Sequence, residues 1–196
     1  MTPEIRAFEF ALGLFTVMIG LAITDIALSL HRLIRRHETV RWDPLTLLGA
    51  LFALLMTIGM WFDLWGIRNA TSIRHFFLYL VLLASFFVLF LVSASSLPDE
   101  VDGPVDLRAF YASNRRYYWS LVTIFQVIYV ALGLHFTADM FARMPRFAVA
   151  VTATQWSALI LIPVAMFFVR SRALHYMGLI ILLAIDFWHY SRYSIL

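Results

Sequence analysis

Six apolar runs, at residues 8–30, 44–67, 75–97, 117–138, 147–169 and 173–190, dominate this chain of 196 residues. Each is about as long as a helix must be to cross roughly 30 Å of hydrocarbon at about 1.5 Å per residue. A transmembrane barrel would instead show segments of about 10 residues with alternating polarity, and a stretch such as FFLYLVLLASFFVLFLV (76–92) does not alternate. The composition agrees: 62% hydrophobic and 14% charged residues, with a mean hydropathy of +0.83, exceed what a soluble domain can bury. The expected fold is therefore all-α: a polytopic membrane bundle of six transmembrane helices forming one domain over 1–196.

The first run is too long for a signal-peptide core and carries Glu4 just before it and Glu9 at its start, so it is expected to remain in the mature protein. All 15 basic residues are arginine. Placing the first loop, HRLIRRHETVRWD (31–43), inside puts nine of them in the cytoplasm against six outside, because short cytoplasmic loops retain cationic side chains. Both termini are then expected outside.

Missing residue types narrow the chemistry. Without lysine there is no Schiff base to retinal or pyridoxal phosphate and no phosphate-loop lysine. Without cysteine there is no disulfide, thiol nucleophile, covalently attached haem or thiolate-bound cluster. No nucleophile motif stands out, so an enzyme is not the expected reading and the sequence requires no cofactor.

The one long hydrophilic connection, SSLPDEVDGPVDLRAFYASNRRYYW (95–119), breaks at Pro98, Gly103 and Pro104. Asp106 is expected to cap a short interfacial helix through Arg116, with Arg108, Arg115, Arg116 and Trp119 as anchors among the headgroups. Trp42, Trp65, Tyr117, Tyr118, Trp188 and Tyr190 also lie near run ends, where amphipathic rings form interfacial belts.

Ionisable residues inside or just at the edge of apolar runs are costly and are functional candidates by default. They are Glu9, Asp25, Asp63, His135, Asp139, Asp186 and His189. Asp63, Asp139 and Asp186 stand near the outer ends of helices two, four and six. His135 with Asp139 and Asp186 with His189 share helix faces, while Glu9 and His75 start at the same level. Such a cluster suits proton transfer, or a metal ion held by His135, Asp186 and His189. The plain alternative is that these groups reach the headgroups and pair with Arg68, Arg74, Arg143 and Arg192. Asp25 lies deeper; it either pairs with Arg172 or His175, or stands alone as a protonated or transport group. Helix five, with Ala148, Ala150, Thr152, Ala153, Thr154, Ser157 and Ala158, is expected at the centre, presenting Gln155 and kinked at Pro163.

The segments GLAITDIALSLHRLIRR (20–36), LPDE (97–100) and DLRAFYASNRRYYW (106–119) together resemble a group of uncharacterised bacterial six-helix inner-membrane proteins, which open similarly and carry a comparable Leu-Pro turn before an arginine pair. The resemblance implies architecture and bacterial origin, and no activity. Two functional expectations follow. One is a small proton- or cation-conducting channel or transporter using the intramembrane Asp and His residues, working as a homo-oligomer. The other is a non-catalytic accessory subunit of a larger respiratory or photosynthetic membrane complex, holding lipid, pigment or partner helices. The lipid bilayer is a partner in both, and nucleic acid in neither.

Overall fold

The computed structural model describes residues 3–66, 76–99, 103–141 and 143–191, without side chains for 3–11, 139 and 140. The helices are α1 (Pro3–Arg35), α2 (Pro44–Gly66), α3 (Phe76–Ala94), α4 (Leu107–Phe141), α5 (Arg146–Phe168) and α6 (Arg172–Tyr190). Among the described residues all six are long and apolar enough to cross a membrane.

Two helices outrun their apolar cores. No glycine or proline interrupts residues 107–132, so the expected interfacial helix and the fourth span are one continuous helix of 35 residues. At about 1.5 Å per residue it is roughly 52 Å long. The expected short separate helix is thus corrected to an extension of α4. Its cap is as expected: Asp106 Oδ1 accepts the backbone N–H of Arg108 at 2.8 Å and of Ala109 at 3.0 Å.

Two strands of two residues each, β1 (Val40–Arg41) and β2 (Val105–Asp106), pair in parallel, with Val40 opposite Val105 and Arg41 opposite Asp106. Arg41 also reaches the Asp106 carboxylate at 3.1 Å. The N–H of Ala109, then that of Arg108 and the Arg41 guanidinium, hold this carboxyl below the usual aspartate range. Nothing in the apolar pattern announced this small ladder.

α2 is the central helix. It packs against α1, α3, α4 and α6, while α5 touches only its chain neighbours α4 and α6 among the larger interfaces. Buried residues make up 56% of the α2 span and 11% of that of α5. Helix five is therefore peripheral, contrary to the expectation drawn from its small residues. Thr152, Thr154 and Ser157 satisfy their hydroxyls on carbonyls four residues back in their own helix, so they need no neighbour. The close approach occurs from α4 instead, where a methyl on Gly133 would lie 3.2 Å from the Trp156 ring.

Inside the bundle Phe15 stacks on Phe86 at 4.8 Å, joining α1 to α3. Thr57 of α2 lies 3.3 Å from the Ser93 hydroxyl of α3.

Candidate functional site

Helices α2, α4 and α6 start at one end of the bundle and finish at the other, and polar side chains gather at both ends. At the finishing end the Tyr190 hydroxyl donates to Asp63 Oδ2 at 2.7 Å, and His189 Nε2 stands 3.5 Å from Asp63 Oδ1. Tyr129 of α4 is in hydrogen-bonding reach of Asp63 and Tyr190. Glycine makes this possible: a methyl on Gly59, one turn before Asp63, would lie 2.2 Å from Tyr190 Cε2. Asp186 precedes Tyr190 by one turn, close enough for its charge to act with those of His189 and Asp63. Its Oδ2 is enclosed and has no hydrogen-bond partner.

At the starting end Asp43 forms an ion pair with Arg172, its side chain 6% exposed. It also caps α2, accepting the Thr46 backbone N–H at 3.3 Å and the Thr46 hydroxyl at 3.0 Å. His175 Nε2 lies 3.1 Å from the Val169 carbonyl, and Nδ1 lies 2.7 Å from the Tyr111 hydroxyl. A carbonyl only accepts, so Nε2 carries the hydrogen and Nδ1 accepts from Tyr111. The Trp119 indole N–H donates to the same hydroxyl at 3.1 Å, and Arg115 donates to Val169 O. Beside this network is a cleft lined by Thr46, Ser95, Asn114, Arg115 and Tyr118, among others, with room for about one water-sized occupant.

Of the residues singled out from sequence, Asp63, Asp186 and His189 do come together. His135 is exposed on α4, its ring against Phe136. Gln155 is half-buried on the peripheral α5. The side chains of Glu9 and Asp139 lie outside the described residues, as do His75, Arg68, Arg74 and Arg192. Among the described residues, no three His, Asp or Glu side chains are placed to share a metal ion.

Asp25 meets neither partner expected for it. Arg172 is taken by Asp43, and His175 by Tyr111 and Val169. The charges acting on Asp25 are those of Asp99 and Arg32, and Ser29, one turn on, reaches Asp99 at 3.5 Å.

The anchor set is corrected in part. Arg108 and Arg116 are exposed, Arg116 over the Phe167 ring at 5.9 Å. Trp119 is 0% exposed and Tyr118 3%, because the continuous α4 turns both inward, where the Trp119 N–H and the Tyr118 hydroxyl find acceptors.

Asp43, Tyr111 and Gln126 escaped the sequence reading, and His175 entered it only as a possible partner for Asp25. Asp43-Pro44-Leu45-Thr46 carried a legible cap signal, an Asp before proline at the first helical position. Gln126 is a polar residue inside the run VTIFQVIYV; it is 2% exposed with its Oε1 lacking a partner. The intramembrane rule applied to charges extends to such an amide.

No protein-family model, curated protein or solved structure matches the chain.

Proposed function

We propose that this chain is an integral membrane protein that binds and moves protons or small cations through the cluster of Asp63, Asp186, His189 and Tyr190. The observation that carries the reading is the enclosed Asp186 oxygen without a donor, set beside a second carboxylate. An ionised carboxylate in that position is strongly disfavoured in hydrocarbon, so a proton or cation belongs on it. Donors from Tyr190 and His189 already approach both oxygens of Asp63, which leaves Asp186 as the group to be loaded. The arginine-rich first loop supports a cytoplasmic starting end and termini on the opposite side, and the sequence resemblance is what supports residence in a bacterial inner membrane.

The test is flux into liposomes carrying a pH-sensitive dye, with wild type compared with Asp186→Asn. The expected result is proton or cation entry in the wild type and its loss in the variant. A wild type that conducts under no gradient, or a variant that conducts like wild type, ends the reading.

A specific feature favours the accessory-subunit alternative: Ala150, Ala153, Thr154 and Ser157 are all exposed on α5, a surface on which another helix can pack closely. That alternative expects no flux, and a lipid, pigment or second chain retained by the purified protein.

A further inference from the structure

Asp186 Oδ2 is not the only enclosed acceptor without a donor. Gln126 Oε1 on α4 is another, on a side chain 2% exposed. Their heights can be compared because α4 and α6 are tied together twice, at Tyr111 with His175 and at Tyr129 with Tyr190. Gln126 lies three residues short of Tyr129 and Asp186 four short of Tyr190, about 4.5 Å and 6 Å down their helices from that upper tie. They therefore stand at the same level.

They also lie on corresponding stripes. On α6, His175, Leu179, Leu182 and Asp186 follow at intervals of four, three and four residues, one face of a helix. On α4, Tyr111, Trp119, Val122, Gln126 and Tyr129 fall on one face by the same spacing. Below Asp186 and Gln126 both stripes turn apolar: Val122, Leu179 and Leu182 are 0% exposed. Beyond them come His175, Tyr111 and the starting-end cleft.

We infer that Gln126 and Asp186 hold a water molecule between α4 and α6, and that this water is the inward stepping point for a proton leaving the carboxylate cluster. Water has two O–H donors, and the site offers two acceptors that nothing else in the described residues satisfies. When Asp186 is protonated, its O–H gives its proton to the water oxygen, and the water passes one of its own protons to a second water that enters when the apolar stretch below is wetted. Only O–H bonds break and form, and the amide holds the water without being protonated. Val122, Leu179 and Leu182 are then a dry gate that must be wetted for the proton to continue. The inference rests on the proposed proton-moving function and supplies its inward route.

Two variants test it in the full-length protein in liposomes. Gln126→Leu keeps the side chain's size and removes the amide; proton flux is expected to fall about tenfold or more. The infrared carboxyl band of Asp186 should shift, and the water band that moves on exchange into heavy-oxygen water should disappear. Val122→Ser wets the gate and is expected to raise flux several-fold. If Asp186→Asn abolishes flux while Gln126→Leu conducts like wild type, the shared water is overturned and the proposed function stands. If the wild type conducts nothing, both fall. Should Gln126→Leu fail to fold, Val122→Ser decides, and an unchanged rate overturns the route.

Discussion

At Gly59 a single hydrogen atom determines whether Tyr190 can reach Asp63. A methyl there would overlap the tyrosine ring, so Gly59→Ala is expected to expel Tyr190 and destabilise the bundle by about 1–3 kcal/mol, the usual range for overpacking. Tyr190→Phe, which keeps the ring and removes the hydroxyl, should cost about 1–2 kcal/mol. Thermal unfolding in detergent checks both, and a Gly59→Ala variant as stable as wild type would contradict the steric account. His175→Ala leaves the buried Tyr111 hydroxyl with no acceptor and should cost about 1–3 kcal/mol. Asp106 gives a pH effect of definite sign. Its carboxyl is held below the normal range in the folded chain. The cap it provides is therefore fully present above the ordinary aspartate range and is lost as pH falls through the lower folded value. Amide exchange at Arg108 and Ala109 should accelerate on acidification in that window, and Asp106→Ala should remove the pH dependence.

The helices themselves were legible because a run of apolar residues as long as a bilayer is thick has few other uses. Their ends were less so. The polar start of α4, with Asn114, Arg115 and Arg116, reads as a separate interfacial piece, yet nothing in it breaks a helix and the backbone continues. The place of α5 was also misread: small residues permit a close approach but do not compel one, and its hydroxyls are content with their own carbonyls. Leucine at Thr154 or Ser157 should accordingly change stability by no more than about 0.5 kcal/mol. A larger loss in unfolding experiments would place α5 against an unseen neighbour.

Across the whole molecule, an apolar middle separates two polar ends. Sequence found the finishing end, since acids in apolar runs declare themselves. It missed most of the starting end, because Asp43 and Arg172 are 129 residues apart and pair only once the four intervening helices, α2 to α5, have returned the chain to the same level. Removing either charge leaves its partner without a counter-ion. Arg172 is one-third exposed at 32%, so the expected loss is nearer about 1–3 kcal/mol than the full range for a deeply buried pair. A double-mutant cycle with Asp43→Asn and Arg172→Met should return a coupling of that size.

The parallel pairing of Val40 with Val105 also sets an order of assembly. Parallel strands cannot be joined by a tight turn, and here the crossover is two complete helices. During synthesis β1 emerges first and waits while α2 and α3 are made, so the ladder closes only when Val105 arrives at the end where Val40 already stands. A ribosome-bound chain halted before Val105 should leave the first loop open to protease, and one extended past Leu107 should protect it. The ladder thus requires the second and third helices to have brought the chain back to the end where Val40 stands, and none of the last three.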